Sequence, residues 1–134
     1  MSYLLDTNVV THILKRTPQV VALYRTALES GEPVYLSAVV YYEVKRGLLH
    51  VDAPSQLRQL DEGFKNVLPW ASVSDATWDR AAYLWADCRR QGRPHDDDGD
   101  LLIAAQAEAL GAVVVTRNTR DFTDLPVTPE NWEA

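Results

Sequence analysis

The chain is poor in cysteine, with Cys88 the single one among 134 residues. This excludes a disulfide framework and a cysteine-based zinc site, and it fits a reducing compartment. An excess of positive charge is also missing. Thirteen lysines and arginines stand against nineteen acids, a formal charge of −6, which excludes a broadly basic nucleic-acid-binding surface. A polyanionic partner would have to be held by a local patch or a metal. No apolar run is long enough to cross a bilayer. The opening Met1-Ser2-Tyr3-Leu4-Leu5-Asp6 has no cationic stretch followed by an apolar one, so no leader is expected. The expectation is a soluble, cytoplasmic protein. Repeats, Gly/Ser linkers and low-complexity blocks are lacking too, and residues 1–134 are expected to form a single domain. Neither a Gly-x-x-x-x-Gly-Lys phosphate loop nor a Gly-x-Ser-x-Gly elbow occurs.

What is present reads as an ordinary globular chain, 46% hydrophobic and 24% charged. Tyr3-Leu4-Leu5 is a short apolar strand stopping at Asp6, followed by a helical pattern in Val9, Val10, Ile13 and Leu14. Thr17-Pro18 opens a second helix that stops at Gly31. Val34-Tyr35-Leu36 is a strand, and Ser37 caps a helix with Val40, Tyr41, Val44 and Leu48 on one face, ending near Gly47. Pro54 opens a helix to about Val67, and Val67-Leu68 is expected to add a short strand before Trp70. Ser74 caps an amphipathic helix with the stripe Trp78, Ala81, Ala82, Trp85 and Cys88. For Trp78 and Trp85 the expectation is packing in the core or against a second copy. A helix from Asp100 to Leu110, apolar around its circumference, is expected to be buried and closed by Gly111. Ala112 to Thr116 reads as a strand in the middle of a parallel sheet. Strands alternating with helices indicate an α/β fold, a small parallel sheet between helical layers. The order of the strands is not legible.

Four acids draw notice because functional side chains in such a sheet collect beyond the carboxyl ends of its strands. Asp6 follows the first strand, although it would serve equally as a helix cap. Glu43 lies in an apolar helix, where burying it unpaired would cost several kcal/mol. It could instead face solvent and pair with Lys45 or Arg46. Asp100 begins the most apolar helix, where capping is again sufficient, and Asp121 lies in the loop leaving the last clear strand. Carboxylates gathered within a few ångströms repel one another unless a cation compensates. An all-oxygen set suits Mg²⁺ or Mn²⁺ over zinc and points to phosphoester chemistry. Asp96-Asp97-Asp98-Gly99 suggests a calcium loop, but Pro94 and Ala105 then fall where ligands belong, so the run reads as a solvated loop with Asp98 a candidate outer ligand. His12, His50 and His95 stand in no recognisable catalytic context.

Tyr3 to Asn8, Ser37 to Glu43, Asp100 to Ala105 and Thr116 to Phe122 resemble, in this order, the signatures of PIN-domain ribonucleases, above all the VapC toxins of toxin–antitoxin pairs. The likeness extends from Met1 to Glu130-Asn131-Trp132. It implies a three-layer α/β/α fold with a small central parallel sheet, Mg²⁺- or Mn²⁺-dependent cleavage of RNA, a homodimer, and an antitoxin that blocks the acidic pocket. It further implies that Asp6, Glu43, Asp100 and Asp121 bind metal and that Thr116 and Asn118 line the pocket. Arg117 and Arg120 would hold the RNA backbone, as could Lys15 and Arg16 or Lys45 and Arg46, and Tyr41 and Tyr42 are the aromatics placed for substrate contact. The segment Pro94–Asp100 departs from the usual pattern in being longer and more acidic, with His95 at a commonly apolar position. Two other readings are open: a PIN-fold module that has lost catalysis, and a phosphatase of the haloacid-dehalogenase type. The latter needs a second acid where this chain has Asn8.

Overall fold

A computed structural model describes residues 1–133. Strand β1 (Ser2–Leu5) enters helix α1 (Thr7–Leu14) directly, and α2 (Pro18–Glu29) returns the chain to β2 (Val34–Ser37). Helix α3 (Ala38–His50) follows at once, then α4 (Pro54–Leu60), a π-helical turn over Asp61–Lys65 and strand β3 (Trp70–Ala71). Two long helices, α5 (Asp75–Arg90) and α6 (Asp98–Leu110), precede β4 (Ala112–Val115), a 3₁₀ turn over Thr119–Phe122 and β5 (Pro129–Glu130).

All strand pairings are parallel, in the order β3-β2-β1-β4-β5. The first strand in sequence is thus the central one, with Leu4 and Leu5 fully buried between Tyr35 on one side and Val114–Val115 on the other. Helices cover both faces, giving the three-layer α/β/α arrangement. Parallel strands buried on both faces must be apolar throughout, and the Ala112–Val115 strand meets that condition with three of four residues buried. Helix α6 is buried continuously from Leu101 to Ala107, as its apolar circumference demands, and Gly111 closes it in the left-handed region at φ 64°. No helix among the described residues is long and apolar enough to span a membrane.

The structure corrects several expectations. Val67-Leu68 is a turn, not a strand. The pairing with β2 begins one residue before β3, where the Leu36 amide donates to the Pro69 carbonyl at 2.9 Å. Helix α3 runs through Gly47 to His50. Helix α6 starts at Asp98, so Asp97 is its N-cap and Asp100 lies within its first turn. The buried stripe of α5 is Thr77, Ala81, Leu84 and Cys88, which leaves Trp78 58% and Trp85 40% exposed. Those two rings flank a groove between α5 and α6, with Leu101 and Leu102 at its base. They are not core.

Candidate active site

The site lies at the carboxyl edge of the sheet, and Asp6 is its deepest member at 5% exposure. Its position serves two ends. The Thr7 amide donates to Oδ1 at 2.8 Å, capping α1. Oδ2 accepts from the Thr116 hydroxyl at 2.8 Å and from the Asn8 amide at 3.3 Å. Thr116 is fully buried beneath the pocket and also receives the Asn118 amide at 3.0 Å. Asn8 accepts the Arg117 amide at 2.9 Å, so the loop after β4 is tied to the loop after β1. Burial raises the Asp6 carboxyl above its ordinary range; the Thr116 and Thr7 hydrogen bonds oppose the rise, and Asp97 and Asp121 add to it.

Helix α3 presents Glu43 across the same pocket. Ser37 starts that helix by accepting the Val39 and Val40 amides at 3.1 and 3.4 Å. Two turns on, Glu43 accepts the Thr7 hydroxyl at 2.7 Å and lies 3.9 Å from Arg46. Its carboxyl is also raised, first by burial and then by Asp97 and Asp6, with Thr7 and Arg46 pulling the other way. Asp100 is the most perturbed group. Burial, followed by the charges of Asp97, Asp6, Asp121 and Glu43, pushes it up to about 8. The helix terminus it occupies favours an anion, but four neighbouring carboxylates and loss of water outweigh that preference.

Asp6, Glu43, Asp97 and Asp100 line one cavity of about 430 Å³, with Arg117, Asn118, His12 and Lys15 around its mouth. Asp121 opens into an adjoining cavity of about 360 Å³ beside His95 and Arg120, and Asp97 and Asp100 form the wall common to both. Lys45 does not line either cavity; its ammonium lies over the Tyr41 ring at 5.4 Å. Tyr41 is buried and donates to Asp61 at 2.5 Å, whereas Tyr42 is 60% exposed and lines a third cavity that also contains Glu43.

Asp97 and Thr7 are the contributors that sequence reasoning did not single out. A run of three aspartates does not show which one caps a helix. Asp97 is fixed by accepting the Gly99 amide at 2.8 Å. A Cβ added at Gly99 would sit 3.0 Å from both Asp97 Oδ1 and Glu43 Oε2, so the small residue is what lets these two oxygens approach. Thr7 next to Asp6 reads as ordinary cap chemistry, which conceals its bond to Glu43.

The donor set is hard oxygen, the kind that suits Mg²⁺ or Mn²⁺. Burial first, and neighbouring carboxylates after it, raise these carboxyls, and a bound cation would oppose both effects. Among the described residues the acids ring the pocket, and no three His, Cys, Asp or Glu groups are gathered tightly enough to hold an ion as they stand. The donor type, rather than the spacing of these side chains as they stand, is what suits a divalent cation.

A family model described as the PIN domain matches residues 3–127. A ribonuclease VapC1 of Haemophilus influenzae is 29% identical, over 93% of this chain and 95% of its own length. The tRNA(fMet)-specific endonuclease VapC of Shigella flexneri is 30% identical, over 91% and 90%. Among solved structures, the VapBC2 complex of Rickettsia felis bound to a promoter DNA fragment matches with a TM-score of 0.85 at 25% identity, covering 98% of this chain and 99% of that one. DNA-bound VapBC of Salmonella typhimurium gives 0.82 at 27% identity, with 98% of each chain covered. The chain belongs to the PIN-domain family, in its VapC-type ribonuclease branch.

Proposed function

We propose that this protein is a Mg²⁺- or Mn²⁺-dependent endoribonuclease acting as the toxin of a toxin–antitoxin pair in the cytoplasm. The observation that carries this reading is the gathering of Asp6, Glu43, Asp97 and Asp100 around one polar cavity, with Asp100 pushed up to about 8. The likeness to named ribonucleases supports it.

Asp6 and Asp100 would hold the principal cation, Glu43 would bind directly or through water, and Asp121 would complete the acidic edge. A bound divalent ion supplies Lewis acidity toward a phosphate oxygen and lowers the pKa of a water. The protein's own groups set the geometry. Thr116 and the Thr7 amide aim the two oxygens of Asp6, and the Thr7 hydroxyl orients Glu43. Arg117, Lys15 and Asn118, which line the same cavity, would grip backbone phosphates of the RNA, and Arg120 would extend that grip on the Asp121 side. In-line hydrolysis by water leaves a 5′-phosphate and a 3′-hydroxyl.

Asp6→Asn and Asp100→Asn should each reduce RNA cleavage by more than about 100-fold, beyond what loss of an outer partner costs, with circular dichroism unchanged. Near-wild-type cleavage by either, or a 2′,3′-cyclic phosphate product, would overturn the scheme.

Two partners belong to the proposal. The solved relatives are toxin–antitoxin complexes, which supports a cognate antitoxin that covers the pocket. Exposed Trp78, Trp85 and Tyr42 on neighbouring helices supply an apolar face of the kind that a second copy covers in a homodimer.

A further inference from the structure

Asp100 and Asp121 come from different elements, and something must set the distance between them. The ring of His95 lies between the two. It precedes α6, and its side chain is only 16% exposed. Nε2 lies 2.9 Å from the backbone carbonyl of Asp121 and 3.8 Å from Asp100 Oδ2. Nδ1 lies 3.4 Å from the Asp97 amide nitrogen. A carbonyl only accepts and an amide N–H only donates, so these contacts define one form of the ring: Nε2 carries the proton and Nδ1 is bare. The imidazole is thus a strut of fixed polarity, holding the Asp121 turn at one nitrogen and the residue that caps α6 at the other.

We propose that His95 is a positioning residue that sets the separation of Asp100 and Asp121 for divalent-cation binding. The inference rests on the metal-dependent reading above. Asp121 is exposed on a turn of four residues, Thr119–Phe122. The His95 bond ties that turn to the start of α6, where Asp97 and Asp100 lie. Loss of the ring would leave each carboxylate on its own element and relax the spacing between the elements. The ring does not touch the reacting atoms in this arrangement. Its action runs through backbone Asp121 and through Asp97.

The test is calorimetric titration of Mn²⁺ into metal-free wild-type protein, His95→Ala and His95→Gln, with thermal unfolding of each in EDTA. A glutamine amide places an N–H donor near the position of Nε2. His95→Ala should weaken Mn²⁺ binding about tenfold or more, in the range found for outer partners of metal ligands, and His95→Gln should recover most of that loss. The unfolding midpoints in EDTA should stay together. Unchanged Mn²⁺ affinity in His95→Ala would overturn the inference. So would a loss that glutamine fails to restore, or a midpoint that falls in step with affinity. Nitrogen NMR of the wild-type ring offers a check that needs no variant, and an Nδ1-protonated tautomer at pH 8 would also overturn it. Failure of wild-type protein to bind Mn²⁺ at all would instead strike the metal-dependent reading, and this inference with it.

Discussion

Asp100 is the residue whose ionisation opposes the fold most, and the sign of that opposition is measurable. Its carboxyl is raised from 3.8 to about 8, so the folded state binds this proton more tightly than the unfolded state. The stability it contributes is complete below the unfolded value and is lost as pH rises through the folded one. Asp6 and Glu43 are raised and act in the same direction. In EDTA the thermal midpoint should therefore fall from about pH 5 to about pH 8.5, and Asp100→Asn should flatten that fall. A variant profile parallel to wild type would refute the assignment. At this scale Asp6, Glu43 and Asp100 were legible as candidates because each interrupts or borders apolar sequence, and Asp121 because it lies in the loop leaving the last clear strand. Asp97 was not, since its two acidic neighbours carry the same chemistry and only the backbone selects the one that caps α6.

Elements deliver these residues, and one polar bridge governs the two helices that matter most. Ser37 caps α3 and donates to Gln106 on α6 at 2.6 Å, and Gln106 in turn donates to the carbonyls of Ala71 and Ser72 at 2.9 and 3.1 Å. The bridge joins the helix bearing Glu43 to the helix bearing Asp100. Ser37→Ala removes a cap and leaves a buried acceptor short of its donor, and should cost about 1–3 kcal/mol in urea unfolding. A change well under about 0.5 kcal/mol would show that the bridge is not a structural tie. Helix starts were readable in the sequence because caps are local chemistry: Ser37, Ser74 and the Thr17-Pro18 pair mark them correctly. The two-residue strands β3 and β5 were not, because pairing with a neighbour, rather than composition, makes them strands. The face of α5 was misjudged for a related reason. Periodicity shows that a stripe exists, but the partner helix selects which residues of it are covered.

For the whole molecule, strand order is the property least accessible from sequence. It places the first strand at the centre, flanked by the second on one side and the fourth on the other. The surface that remains has an aromatic face at Trp78 and Trp85, and the proposed homodimer gives it a use. Wild-type protein should sediment at twice the mass of one chain, and a Trp78→Glu, Trp85→Glu variant at the mass of one, with Mn²⁺ binding retained. Identical sedimentation of the two would remove that face from the dimer. The central position of β1 has one more consequence. Asp6 must await β4 before Thr116 can aim it, and Asp121 comes later still. A fragment cut or stalled before that point would carry Asp6, Glu43, Asp97 and Asp100 but neither the Thr116 hydroxyl that aims Asp6 nor Asp121. Once β4 pairs with β1, Thr116 locks Asp6 in a single step, so the pocket is completed abruptly rather than in proportion to the length of chain already made.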